Sequence, residues 1–315
     1  RLFAETTRDG VYTHGLNRFP RFAEMVANGS IDINAAATRS DPMAANIAIE
    51  RWEGHLGPGN RNAHAAMSRS IELARTHGLG GVALAITNHV MRFGADGWQA
   101  ADAGLFAICW TNTLPNVPAW GATTPTLGNN PLVIAVPRGA SETSPEGRHV
   151  VLDMAMSQFS YGALSSYAAR GKQLPVPGGY DSAGNLTTDP AAIEASGRAL
   201  AVGYWKGSGL SLVLDMLAAM LSGGHSTHQV PRDSLRESGV SQIFLAIDPS
   251  SFAARPDLNR IADGILHSLR DATPIDPANP VRYPGEQTFH LREENLRLGV
   301  PVDPEVWSKL QNLAF

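Results

Sequence analysis

The sequence predicts an α/β protein, because segments with helical spacing of apolar residues alternate with short, continuous apolar runs. In residues 63–74, apolar side chains recur at helical spacing before Gly78, a residue typical of the position just past a helix end. The apolar run at residues 81–86 follows and predicts a buried strand. No internal repeat or low-complexity tract interrupts this alternation.

In chain order, the first predicted helix follows Asn17, since Phe19, Phe22 and Val26 share one helical face and Gly29 lies past its end. Further strands are predicted at residues 105–110, 132–136, 150–154 and 242–247. Further helices are predicted at residues 208–222, 256–270, 289–298 and 304–313.

The length and a change in composition predict two lobes. A chain of 315 residues exceeds a typical single domain. Between residues 111 and 206 the sequence is rich in Pro, Gly, Asn and Thr, with short strands only. We expect residues 111–206 to form a lobe inserted into a main lobe made of residues 1–110 and 207–315.

The composition favours an ordinary cytoplasmic enzyme. The formal net charge of -4 comes without a basic tract, so neither nucleic acid nor an acidic membrane is an expected partner. Cys109 is the only cysteine, so no intrachain disulfide can form and a reducing compartment is favoured. Its apolar surroundings predict a buried strand rather than a nucleophile. Because the chain begins with Arg1, we expect part of the natural N-terminus to be absent.

The segment of residues 9–22 carries the most chemical information. It places His14 four positions before Arg18, with Gly10 and Gly15 nearby to let a ligand approach the backbone. A predicted helix N-terminus follows, and its unpaired N–H groups favour an anion together with the guanidinium. A substrate with a carboxylate beside a carbonyl that must be protonated needs both the imidazole and the guanidinium. A glycine-rich helix entry with a surface histidine fits the segment equally well.

Four segments resemble one enzyme family. Thr13-His14-Gly15 with Arg18, residues 87–89, residues 128–131 and residues 203–209 are similar to the malate and L-lactate dehydrogenases that lack the usual dinucleotide-binding fold. The resemblance covers essentially the whole chain. It implies a mixed, largely antiparallel sheet for the dinucleotide, interlocked with a helical α/β lobe. It further implies a homodimer, with residues 111–206 as the cofactor lobe.

The resemblance implies an NAD(P)H-dependent reduction of a 2-oxo acid to a 2-hydroxy acid, with a sugar acid favoured as substrate. Malate, lactate, ureidoglycolate and a cyclic imino acid are the alternative substrates. His14 is the first choice for the proton donor, and His89 is its rival. Arg18 would hold the substrate carboxylate, since its planar guanidinium both attracts the carboxylate and fixes its orientation. The remaining substrate-binding candidates are Thr13, Asn88 and Asn112; surface turns fit the two asparagines nearly as well.

The prediction of a cofactor follows from the resemblance and not from a nucleotide-binding sequence motif. The sequence contains neither G-x-G-x-x-G after a predicted strand nor G-x-x-x-x-G-K-[ST]. The best local support is Lys206 at a glycine-rich helix start, which suits a pyrophosphate. NAD(H) is expected, with NADP(H) as the alternative. The candidate cofactor residues are His149, Val150, Val151, Leu152, Asp153, Met154, Ala155, Trp205, Lys206, Gly285, Glu286 and Gln287.

Two other classes of protein are alternatives. His225 and His228 have the H-x-x-H spacing of a metal-dependent hydrolase, but no Glu accompanies them and Gly223-Gly224 indicates a loop. We therefore expect no metal. A non-enzymatic binding module is disfavoured, because His, Asn, Arg and Lys beside glycine turns are more typical of a polar pocket than of a flat interface.

Overall fold

The computed structural model describes residues 1–40, 47–141 and 147–313. The helices are α1 (Leu2–Arg8), α2 (Phe19–Ala27), α3 (Gly59–His77), α4 (Gly94–Asp102), α5 (Tyr161–Ala169), α6 (Pro190–Ser196), α7 (Trp205–Ser222), α8 (Arg255–Arg270), α9 (Glu286–Leu298) and α10 (Pro304–Gln311). The strands are β1 (Thr38–Arg39), β2 (Ile49–Glu53), β3 (Leu79–Asn88), β4 (Phe106–Thr111), β5 (Val117–Pro118), β6 (Pro125–Leu127), β7 (Leu132–Val136), β8 (Val150–Met154), β9 (Gly179–Tyr180), β10 (Leu186–Thr187) and β11 (Ser238–Ile247).

A seven-stranded sheet organises the molecule, in the order β1-β2-β3-β11-β4-β7-β8. Strands β2 and β3 pair in parallel, and the other neighbours pair antiparallel. The predicted mixed, largely antiparallel sheet is thereby confirmed. The main core lies between this sheet and helices α3, α4 and α7, around Met67, Leu84, Trp98, Leu214 and Phe244. Cys109 is buried in this core, as predicted.

The sheet crosses the predicted lobe boundary. Strands β7 and β8 belong to residues 111–206, but β7 pairs with β4 of the main lobe and β8 pairs with β7. Residues 111–206 also form two small sheets of their own, β5 with β6 and β9 with β10, but β7 and β8 are continuous with the sheet of the main lobe. The division into two lobes at these residues stays a prediction.

The strand directions bring distant parts of the sequence to one edge of the sheet. Because β11 runs antiparallel to both β3 and β4, Asn88 at the end of β3 pairs with Ser238 at the start of β11. Thr111, at the end of β4, pairs with Gln242 of β11. Strand β8 runs in the same direction as β4, since both are antiparallel to β7. The ends of β3, β4 and β8 thus meet at the same edge as the starts of β7 and β11.

Candidate active site

A cavity of about 240 Å³ lies at this edge of the sheet. Its lining includes His89, which follows β3; Asn112, which follows β4; Asp153 of β8; and Glu237, which immediately precedes β11. The N-terminal segment closes it with His14. Both His14, the predicted proton donor, and His89, its predicted rival, line this cavity.

A tight turn holds His14 in place. His14 ends the 3₁₀ turn Tyr12–His14, and Leu16 in the next turn donates its backbone N–H to the hydroxyl of Thr7 at 2.7 Å. A Cβ on Gly15 would lie 2.0 Å from that hydroxyl oxygen, and a Cβ on Gly10 would lie 2.4 Å from Leu291. The prediction that these glycines admit a ligand is therefore wrong. They permit close packing of the protein itself, which fixes the backbone beside His14.

The side chain of His14 can change its protonation state without losing its partner. Its Nδ1 lies 2.9 Å from the hydroxyl oxygen of Thr13, and a hydroxyl can either donate to this nitrogen or accept from it. Burial, together with the positive charges of Arg18 and Arg92, lowers the pKa of His14 to about 4. Without a bound anion the ring is neutral at neutral pH.

The environment of His89 fixes one neutral tautomer. The backbone N–H of Met91 donates to Nδ1 of His89 at 3.0 Å, and an N–H group can only donate. Nδ1 is therefore unprotonated, and the single ring proton lies on Nε2. Burial, Arg18 and His14 lower the pKa of His89 well below its usual range. His89 is thus a hydrogen-bond donor that resists becoming an imidazolium.

The two rings are nearly parallel, with centroids 6.0 Å apart and an interplanar angle of 13°. Both line the same cavity. A hydrogen-bond donor of fixed tautomer and a group that can carry a transferable proton are suited to act on one oxygen atom.

Arg18 lies beside the cavity rather than on its wall. Within the described part of the chain, its guanidinium makes no hydrogen bond or ion pair. Burial and the neighbouring Arg21 lower its pKa to about 10, against the opposing effect of Glu237. A partly buried cation without a bonded partner is a favourable site for a carboxylate.

The structure gives both predicted substrate-binding asparagines partners within the protein, and their contact with substrate stays a prediction. Asn112 is buried, donates from Nδ2 to Asp215 at 2.8 Å and accepts from the backbone N–H of Ser241 at 2.8 Å. Asn88 is also buried and donates to the carbonyls of Leu56 and Gly57. Neither residue is a surface turn, and their amide groups hold the protein's own loops. Thr13 contacts His14, as described above.

Sequence reasoning missed Glu237 and the ion pair of Arg92 with Asp9. Arg92 lines the cavity and donates to Asp9 at 2.6 Å, and Arg292 of α9 donates to both oxygens of the same carboxylate. Their positions in the sequence give no signal, because only the strand order and the packing of α9 bring them to the site.

One group of cofactor candidates lies along β8, the strand predicted at residues 150–154, which is the last strand of the sheet. Asp153 and Ala155, at the end of β8, line the cavity, whereas His149 immediately precedes the strand and lies at its other end. The carboxylate of Asp153 accepts the N–H of Gly94 at 3.1 Å through Oδ2. The Gly285 loop packs on this strand, since Val151 donates to the carbonyl of Pro284 at 3.0 Å. These two predicted segments therefore lie together.

The other cofactor candidates lie outside this cavity. Trp205 and Lys206 form the first turn of α7, which begins three residues earlier than predicted, and the Lys206 ammonium lies 6.0 Å from the centre of the Trp205 ring. Glu286 is ion-paired with Arg270 at 2.7 Å, and Gln287 accepts from Arg282 at 2.8 Å.

The histidine pair at residues 225–228 forms a capped turn. Thr227–Gln229 is a 3₁₀ turn, and Ser226 and Gln229 form a reciprocal capping box. His228 bonds the Ser226 hydroxyl through Nδ1 at 2.7 Å. Within residues 1–40, 47–141 and 147–313, no group of three His, Cys, Asp or Glu side chains could hold a metal ion. Over the same residues, none of the helices combines the length and apolar content needed to cross a membrane.

The cavity brings two histidines together beside an arginine, on a largely antiparallel sheet that is not of the Rossmann type. A family model for malate/L-lactate dehydrogenase matches residues 1–311. The chain therefore belongs to the malate/L-lactate dehydrogenase family and is an oxidoreductase.

Individual relatives agree with this membership. The chain is 45% identical over 312 residues to 2,3-diketo-L-gulonate reductase from Escherichia fergusonii, covering 99% of this chain and 91% of the relative. Sulfolactate dehydrogenase from Methanocaldococcus jannaschii superposes with a TM-score of 0.86 at 26% identity, covering 98% of this chain and 86% of the other. Delta1-piperideine-2-carboxylate reductase from Pseudomonas syringae gives a TM-score of 0.84 at 27% identity, covering 98% of this chain and 90% of the other.

Proposed function

We propose that the protein reduces a 2-oxo acid to the corresponding 2-hydroxy acid with NADH, or alternatively NADPH. The substrate we favour is 2,3-diketo-L-gulonate, with 3-dehydro-L-gulonate as product, because the chain is 45% identical to a reductase of that name. The observation that carries the proposal is the pair of parallel histidine rings beside an arginine without a bonded partner. This combination suits a substrate in which a carboxylate lies next to a carbonyl.

The roles of the three side chains follow from their contacts. Arg18 binds the substrate carboxylate and orients it through two parallel N–H bonds. This pairing offsets one of the two positive charges that lower the pKa of His14, so His14 becomes easier to protonate when the substrate is bound. His14 then donates its proton to the C2 oxygen. His89 donates a hydrogen bond to the same oxygen from Nε2 and keeps its proton.

The residues present fit a nicotinamide cofactor. Asp153 faces the cavity with one oxygen, Oδ1, that has no hydrogen bond within the described chain, which suits ribose hydroxyls. Lys206 supplies a cation at the start of an 18-residue helix, which suits a pyrophosphate. When bound, the nicotinamide supplies the hydride for the reduction. NAD(H) rather than NADP(H) stays our proposal from family resemblance.

An oxidation assay tests this function. Purified protein is mixed with NADH or NADPH and with pyruvate, oxaloacetate, a cyclic imino acid or 2,3-diketo-L-gulonate, and the fall in absorbance at the nicotinamide band is followed. We expect the diketo sugar acid to give the highest kcat/KM. The absence of oxidation with every substrate would overturn the proposal.

The pyrophosphate site gives a separate prediction. Lys206→Ala should weaken NADH binding by about 1.5 to 3 kcal/mol, the usual contribution of a hydrogen bond to a charged group. Fluorescence titration measures the Kd directly. Lys172→Ala, an exposed lysine elsewhere in the chain, is the control and should bind NADH normally. An unchanged Kd for Lys206→Ala would show that the pyrophosphate lies elsewhere.

We also propose that the protein is a homodimer that buries the outer face of α7. The exposed apolar side chains of this helix are Trp205, Leu210, Leu212, Val213, Met216, Leu217, Met220 and Leu221. Its charged residues are Lys206 in the first turn and Asp215, which is buried. A contiguous apolar surface without charge favours a second identical copy.

Sedimentation tests the dimer. The protein should sediment at twice the chain mass of 33.5 kDa, and Met220→Glu should shift it towards the monomer because it buries a charge in the interface. Leu298→Glu, an exposed leucine on α9, is the control. A monomeric parent protein would contradict the proposal.

The single cysteine, buried in the core, supports the cytoplasm as the compartment we propose.

A further inference from the structure

Arg18 is a cation beside the cavity that is available to a substrate carboxylate. Arg92 is already paired with Asp9 at 2.6 Å. Arg18 has no bonded partner in the described chain, and Arg21 donates to the backbone carbonyl of Ser234. Arg18 and Arg21 both act on the charge of Glu237, and a second carboxylate, that of Asp153, also lines the cavity. A substrate carboxylate can pair with Arg18, whereas a second substrate carboxylate beside Glu237 would bring two like charges together.

Glu237 has one oxygen left for a ligand. It is 4% exposed and lines the cavity with both histidines. Its Oε1 accepts the backbone N–H of Leu114 at 3.2 Å. Its Oε2 makes no hydrogen bond with any described residue, and this oxygen keeps some accessible surface. Burial raises the pKa of this carboxyl, but the Leu114 N–H, Arg18 and Arg21 all favour its charged form.

We propose that Glu237 determines substrate specificity: its free oxygen accepts a hydrogen bond from a hydroxyl group on the part of the substrate beyond C2, and its charge rejects a second carboxylate there. This inference rests on the proposed function. It assigns the site to hydroxylated 2-oxo acids with a single carboxylate and selects against oxaloacetate. A buried carboxylate favours a hydroxyl donor and penalises a carboxylate, because neither charge has water to screen it.

The test compares three substrates in the parent protein and in Glu237→Gln. Gln retains an acceptor for the Leu114 N–H, so the loop before β5 keeps its hydrogen bond. The substrates are 2,3-diketo-L-gulonate, with hydroxyls beyond C2; oxaloacetate, with a second carboxylate; and pyruvate, with neither. Glu72→Gln, an exposed carboxylate on α3, is the control for the chemical change.

We expect Glu237→Gln to lower kcat/KM for the diketo sugar acid by about tenfold to a hundredfold, the effect of losing a hydrogen bond to a charged group. The value for oxaloacetate should rise, and that for pyruvate should change little. Opposite changes for the first two substrates support the proposal, since a purely structural role would alter all three alike. A uniform loss, or an unchanged ratio, overturns it while leaving the proposed function intact. A parent protein that reduces none of the three overturns both.

Discussion

His14→Asn is expected to lower reductive turnover by about 100- to 10 000-fold while NADH binding stays nearly normal. The variant has no ionisable proton to give to the C2 oxygen. Asparagine is close to histidine in size and can still bond the Thr13 hydroxyl, so the turn at residues 12–14 should persist. Steady-state kinetics and NADH fluorescence titration measure the two quantities.

His89→Asn is the matched comparison. In our account His89 contributes a hydrogen bond and keeps its proton, because the Met91 N–H occupies its Nδ1. An asparagine amide can still donate a hydrogen bond, so the loss in turnover should be the smaller of the two. Normal turnover in His14→Asn combined with collapse in His89→Asn would transfer the proton-donor role to His89.

Arg18→Lys is expected to lower kcat/KM for 2-oxo acids by about tenfold to a hundredfold, with no comparable change in NADH affinity. Lysine retains the positive charge but cannot make the two parallel bonds that fix the carboxylate plane. The reacting carbonyl is then held less accurately. Arg21→Lys is the control, since Arg21 is bonded to the Ser234 carbonyl. Parent-like efficiency in Arg18→Lys would mean that another cation binds the carboxylate.

Much of the fold could be predicted because its elements carry local signals. The apolar runs at residues 132–136 and 150–154 coincide with β7 and β8. The start of α7 was placed three residues late, because Gly207 and Gly209 suggested a loop where the helix has already begun. Here the packing of Gly207 against the Val202 carbonyl, where a Cβ would lie 2.1 Å away, outweighs its weak helical preference.

The site was predictable only where its residues are close in sequence. His14 and Arg18 share one segment, and their proximity follows from a single turn. The role of Glu237 depends on β11 lying between β3 and β4, which no local pattern reveals. The partners of Asn112 could not be predicted for the same reason, because Asp215 and Ser241 are more than 100 residues away in the sequence.

The proton-donor role of His14 is tested most directly by the pH dependence of reductive kcat in the parent protein and in His14→Asn, measured from about pH 5 to 9. Reduction needs protonated His14, whose pKa is about 4 without substrate and is raised when a carboxylate binds Arg18. We therefore predict that the parent kcat falls as pH rises, with a midpoint above 4, and that the residual activity of His14→Asn lacks this fall. An identical decline in both proteins would contradict the account, because another group would then supply the proton.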